Sequence, residues 1–255
     1  MKKKIFSVVL AAAMVLSMTA CDKKTISDAT GSLTSSSAEA SVEASVETST
    51  EASVETSTEV VTEETEEFNV GTVASDVYEN EFFNIKVTAA DGFAFADAAT
   101  IAAIGQATAE SFANSDSDMA KVTADAINSG ATITDFYLAD ENFITTMNLT
   151  ISAGKGLTSA NLDALIDATI PVLEETFSAQ GLSNVKCVRS TTTFLGEEVS
   201  CIYTVADLPV SETETVTMYV KQVEMIKDGY VGCISCNTYL EDGTDDLLAM
   251  VTTLK

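Results

Sequence analysis

Hydrophobic and polar positions divide this chain into three stretches. Ile5 to Ala20 is an almost unbroken apolar run behind Lys2, Lys3 and Lys4. Residues 22–67 then change character, dominated by Ser, Thr, Ala, Val and Glu in a four-residue repeat with little apolar mass. From Phe68 onward the apolar residues return to regular spacings, so 68–255 is expected to be the folded body, long enough to bury about 70% of its unfolded surface. Within it, Tyr78 to Thr88 reads as a strand with Phe83, Ile85 and Val87 alternating, followed by a turn at Asp91-Gly92. Asp97 caps a helix carrying Ile101, Ile104 and Phe112 on one face, and a second short helix runs to about Asn128 and stops near Gly130. Ile133 to Ala139 and Phe143 to Ser152 form a hairpin about Asp140-Glu141-Asn142. In its second arm Phe143, Thr145, Met147, Leu149 and Ile151 share a side.

The longest helix is predicted from about Ser159 to Gln180, with Leu162, Leu165, Ile166, Ile170, Leu173 and Phe177 as its stripe. Pro171 should kink it and Gly181 should end it. Two hairpins follow: Asn184 to Phe194 turning at Gly196 into Glu198 to Ala206, and Thr215 to Ile226 turning at Asp228-Gly229 into Tyr230 to Leu240. These strands carry apolar residues on both faces, so the sheet needs cover on both sides. A closing helix from Thr244, with Leu247, Leu248, Val251 and Leu254, is expected to supply part of it. The fold class that results is α+β, a single sandwich-type domain with a largely antiparallel sheet.

Composition changes the picture of the first two stretches. A basic start, a short apolar run and small residues before a cut site make an export leader over 1–20, too short for a spanning helix of about 20 apolar residues. In 22–67 glutamates fall at 39, 43, 47, 51, 55, 59 and 63 within repeats such as Ala40-Ser41-Val42-Glu43. On a helix that spacing stacks like charges, and the apolar content cannot offset the ordering entropy. Residues 22–67 are therefore expected to be a disordered spacer, spanning roughly 35–40 Å r.m.s.. The whole chain has 39 acidic and 13 basic residues, a formal charge of −26. That balance excludes nucleic acid and disfavours anionic ligands. Histidine is absent, which removes Ser-His and Cys-His nucleophiles and the common zinc and iron sites, and no cofactor is expected.

Candidate chemistry is sparse. Cys187, Cys201, Cys233 and Cys236 are read first as buried small hydrophobes. One or two disulfides are the alternative, with three pairings open. Cys233-Ile-Ser-Cys236 falls within a strand rather than at a helix start, against a redox or metal motif. Gly154-Lys155-Gly156 between a strand and a helix lacks the upstream glycine of a phosphate loop. Asn114, Asp116, Asp118 and Asp125 have a calcium-loop spacing, but Met119 stands where glycine belongs. Glu241 to Asp246 is an acidic cluster that a helix start accounts for, with Thr244 as its cap. The Asn148-Leu149-Thr150 sequon lies in a predicted strand.

Two resemblances add to this. Thr19-Ala20-Cys21 at the end of the leader resembles the signal of bacterial lipoproteins. The resemblance implies cleavage between Ala20 and Cys21 and a lipidated Cys21, hence a protein anchored on the extracytoplasmic face of a cell membrane. Tyr78-Glu79-Asn80-Glu81-Phe82-Phe83-Asn84-Ile85, Asp91-Gly92-Phe93 and Asp135-Phe136-Tyr137-Leu138-Ala139 are similar to motifs of the PsbP-like fold found in exported clostridial-type lipoproteins. That implies an α/β/α adaptor or binding scaffold. The expected organisation is leader 1–20, lipidated Cys21 with linker to 67, and body 68–255. The expected function is a non-catalytic binding or adaptor module, with membrane lipid and an envelope or extracellular protein as partners. The alternatives are a carboxylate- or Ser-dependent surface enzyme, with or without calcium, and a small-ligand-binding lipoprotein.

Overall fold

The computed structural model describes residues 68–114, 118–154, 156–211 and 214–255, apart from the side chain of Met119. The leader, its cleavage site at Ala20 and Cys21, the Cys21 anchor and the linker all lie outside the described residues. The element order is β1 (Thr72–Ala74), β2 (Val77–Asn80), β3 (Ile85–Thr88), β4 (Phe93–Phe95), α1 (Ala98–Ala113) and α2 (Asp118–Asn128). Then come β5 (Thr132–Asp140), β6 (Thr146–Ala153), a 3₁₀ turn (Ser159–Asn161), α3 (Leu162–Ala179), β7 (Ser183–Phe194) and β8 (Glu197–Pro209). The chain closes with β9 (Thr215–Lys227), β10 (Tyr230–Tyr239), α4 (Thr244–Leu248) and β11 (Val251–Thr253).

Seven strands form one sheet in the order β4-β5-β6-β10-β9-β8-β7, and four form a smaller one, β1-β2-β3-β11. Every neighbouring pair is antiparallel. The fold is thus α+β with antiparallel sheets. One face of the large sheet meets α1, α2 and α3 through Phe112, Ala120, Ile166, Leu173 and Phe177. The other meets the small sheet and α4 through Tyr78, Ile85, Val87, Leu247 and Leu248.

Most local devices act where their chemistry predicts. Asp97 caps α1 by accepting from the Thr100 amide at 2.7 Å. Asp228 and Gly229, both at positive φ, turn β9 into β10. Pro171 lies inside α3, and the chain leaves that helix through Gly181 at φ 89°.

Two expectations are corrected. Tyr78 to Thr88 is a hairpin rather than one strand: the Asn80 side chain accepts from the Phe83 amide at 2.8 Å, and Asn84 adopts φ 54°, which turns the chain between β2 and β3. The closing helix stops at Leu248, and Val251 instead pairs with Val87 as β11. The small sheet therefore shares the cover of that face with α4.

Candidate functional site

Side chains alternate along a strand, so residues paired across strands share a face. On the helix side, β6 presents Thr146, Asn148, Thr150 and Ser152 between the apolar Met147, Leu149 and Ile151 of its other face. The register carries this pattern across the sheet. Tyr137 of β5 lies beside Asn148, then Ser235 of β10, then Gln222 of β9. Thr146 lies beside Asn237. Thr134 lies beside Thr150, then Cys233, then Glu224. Thr146, Asn148, Thr150, Ser235 and Asn237 are wholly buried, and Glu224 is only 5% exposed. A polar belt thus crosses the middle of the sheet under helices whose buried residues are mostly apolar, with Thr108, Thr123, Thr169 and Thr176 among them.

Part of the belt is internally satisfied, since the Gln222 amide donates to Ser235 at 3.1 Å. Asn148 and Asn237 at both ends, the Thr150 hydroxyl and both Glu224 oxygens have no hydrogen-bond partner. An unmatched buried polar group costs about 1–3 kcal/mol, so such groups are normally few and call for an explanation. Burial pushes the Glu224 carboxyl up to about 8, because the charged form has no partner there. At neutral pH Glu224 is therefore a protonated acid, able to donate as well as accept.

The belt's outer end is accessible. A cleft of about 710 Å³ lies between α1, the end of α2 and β5, with Ile101, Gly105, Glu110, Ile127 and Thr134 among its walls. Thr134 stands in this cleft and in the row that ends at Glu224.

A second cleft, of about 610 Å³, lies between β7, α4 and β11 and is walled by Thr191, Thr192, Thr193, Asp245 and Thr252. Asp245 and Thr192 among its walls are engaged already. The buried Lys221 ammonium pairs with Asp245, which also accepts from Thr192 at 2.9 Å, and Lys221 lies 5.6 Å above the Tyr203 ring. The Lys221 hydrogen bond holds the Asp245 carboxyl below its usual range. Asp242 accepts from the Tyr203 hydroxyl and the Thr244 hydroxyl, each at 2.7 Å. This constellation clasps α4 to the sheet and leaves less for a ligand than the belt does.

The structure brings some of the sequence candidates together and disperses others. Of the acidic cluster, Asp242 and Asp245 converge on Lys221, and the cap of α4 is Gly243 rather than Thr244, whose amide is held by Asp242. The four cysteines are all buried, and the structure has them as thiols. Cys233 belongs to the belt on the helix side, while Cys201 and Cys236 face the small sheet. Burial raises the Cys187 thiol to about 11 and raises Cys201 and Cys236 as well, against a nucleophilic role. In the calcium spacing Asp116 lies outside the described residues, Asn114 ends α1, Asp118 pairs with Lys121 and Asp125 is within α2. Among the described residues no cluster of three acidic or cysteine side chains could hold a metal. Lys155 also lies outside them, and Gly156 makes a left-handed turn between β6 and the 3₁₀ segment. Asn148 of the sequon is buried in β6. Sequence reasoning missed Asn148, Thr150, Glu224 and Asn237 as a group. The visible signal was Gln222 and Glu224 at alternate positions of a strand that also carries Val216, Met218, Val220, Val223 and Met225.

In class, this is an α+β protein of two antiparallel sheets with a three-helix layer. No family model matches the chain, and no curated protein matches it. Among solved structures, the solution structure of cyanobacterial PsbP (CyanoP) from Synechocystis sp. PCC 6803 is similar over 74% of this chain and 97% of its own, at 11% identity and a TM-score of 0.39.

Proposed function

We propose that the chain is a lipoprotein of the extracytoplasmic membrane face, with a PsbP-like α/β/α body that binds a partner rather than transforming it. In this reading the leader is removed after Ala20, Cys21 carries the lipid, and residues 22–67 hold the body away from the bilayer. The observation that carries the binding role is the spare hydrogen-bonding capacity of Asn148, Thr150, Glu224 and Asn237, which the fold places under its helices without using it. The basic start, the apolar run and Thr19-Ala20-Cys21 support the location. The acidic charge of −26 favours a partner that is neutral or cationic.

The anchor is tested by metabolic labelling with radioactive palmitate and partition into Triton X-114. The wild-type chain should take up label and enter the detergent phase, and Cys21→Ser should do neither. A wild-type mature terminus that is unmodified, on a protein free in the medium, overturns the reading.

A further inference from the structure

Edge strands are templates for pairing with another chain, so folds blunt them with charges, bulges or cover. Strand β7, at the margin of the large sheet, is blunted over only part of its length. There its register with β8 slips between Ser183 and Lys186, and the Glu174 side chain of α3 accepts from the Cys187 amide at 3.0 Å. Arg189 is drawn to Asp163 and Asp167, at 3.2 and 3.4 Å. The remainder, Ser190 to Phe194, carries neither charge nor bulge. Its backbone direction follows from two observations. The Cys187 amide points to α3 rather than to β8, and the register is unbroken from there to Phe194. Leu195 and Gly196, both at positive φ, form a two-residue turn that closes on Phe194 and Glu197 as a hydrogen-bonded pair. Both place the N–H and C=O groups of Thr191 and Thr193 away from β8, and among the described residues no hydrogen bond reaches them.

These groups border the cleft of about 610 Å³ between β7, α4 and β11. Its far wall is a second sheet margin. The Met250 carbonyl bonds to Thr88 and the Leu254 amide to Asn84, so by alternation Val251 and Thr253 of β11 face outward too. With Asp245 and Thr192 engaged, main chain is what this cleft has to offer. We propose that it takes an extended segment of another protein, which pairs as an added strand with Thr191 and Thr193 of β7. Leu195, Leu248 and Val251 give its side chains apolar contact. A second copy of this chain would bring its own β8 and α3 in behind its β7, more than a cleft closed by α4 and β11 holds. Asp245 is the charged residue among the walls and is matched by Lys221, so the paired stretch of the partner is uncharged. Just beyond the turn Glu197 and Glu198 are exposed, so the segment carries basic residues at the end beside them. This inference rests on the binding role proposed above, though not on the Cys21 anchor.

The test is fluorescence anisotropy of a dye-labelled peptide, Lys-Lys-Thr-Val-Thr-Val-Thr, titrated with the full chain in about 0.15 M salt. Binding is expected at one site with a Kd below about 1 mM. Thr191→Pro should weaken it at least about tenfold by removing an outward donor. An edge strand tolerates proline where the missing N–H faces away from the ladder, so the fold should survive. Thr191→Val, which keeps the amide, should bind as the wild type does. If the proline variant folds poorly, hydrogen exchange of the wild-type chain serves: the peptide should slow the amides of Thr191 and Thr193. Absence of binding overturns the inference, and so does binding that neither the proline nor exchange at β7 registers. A dimer that Thr191→Pro dissociates assigns the edge to a second copy and overturns it too. Because palmitate labelling reads Cys21 and this test reads Thr191, a chain that takes up label yet ignores the peptide loses this inference and keeps the lipoprotein reading.

Discussion

Toward the small sheet, the large sheet presents Phe136, Leu138, Met147 and Leu149, all fully buried against Tyr78, Ile85 and Val87. The polar atoms that enter this layer are matched. Asp135, at the bulge of β5, accepts from the Gly71 amide at 2.9 Å, from the Tyr78 hydroxyl and from the Asn80 amide group at 2.9 Å. Burial and the neighbouring Asp135 carboxylate together raise the Tyr78 hydroxyl far above the ordinary phenol range, so it stays a donor at every physiological pH. Toward the helices the same strands present Asn148, Thr150, Asn237 and Glu224, equally buried and unmatched. One face is organised for stability and the other holds capacity in reserve. Since β5, β6, β9 and β10 carry both, the difference lies between odd and even positions of the same strands.

The largest expected effect comes from breaking the matched face. Asp135→Ala strands three donors at once and should destabilise the protein by about 4 kcal/mol, at about 1–3 kcal/mol per orphaned buried group. Thermal unfolding should fall on the order of 10 °C. A loss below 1 kcal/mol would show the two faces to be alike.

The next effect is set by pH. Glu224 is held up at about 8 against an ordinary 4.5, so between those values the folded chain keeps a proton that the unfolded chain releases. Stability then falls as pH rises through that window, by at most roughly 1.4 kcal/mol per pH unit, and the contribution is level below it. Glu224→Gln should abolish this slope, so its stability relative to wild type should improve by about 3 kcal/mol from pH 5 to pH 8. Denaturant unfolding at both pH values checks the sign, and parallel profiles would show the carboxyl to be matched after all.

The smallest effect sharpens the contrast. Thr150→Val removes an unmatched hydroxyl with little change of shape and should stabilise the protein by about 1 kcal/mol, where most buried substitutions destabilise. Denaturant midpoints of the two proteins give the comparison directly.

Much of the architecture was legible because its signals are local. Asp97 before an apolar helical stripe, Asp228-Gly229 between two alternating runs and Gly181 after a long helix act within a few residues. The split of β2 from β3 was hidden because Phe83, Ile85 and Val87 keep a strand period, while the turn depends on an Asn80 side chain and on Asn84 entering the left-handed region. The short α4 was overextended because Val251 and Leu254 fit a helical spacing, and only pairing with Val87, distant in sequence, makes Val251 a strand residue. The belt was the least legible part. Thr146, Asn148 and Thr150 alternate with apolar residues as they would on a sheet open to water, and the helices that cover them come from elsewhere in the chain. The clasp of Lys221 on Asp245 likewise joins β9 to α4, which neither pattern announces.

Phe68 lies flat against Tyr230, ring centroids 4.3 Å apart, a few residues before Gly71 is gripped by Asp135. Gly71 itself has no room for a side chain, since a β-carbon there would lie 2.4 Å from the Tyr78 ring. Mechanically, these two contacts form a cleat at the amino-terminal end of the body. A tug on the chain ahead of Phe68 must pull free an aromatic stack and then a carboxylate grip before it can begin to peel the exposed edge strand β1 from its neighbour.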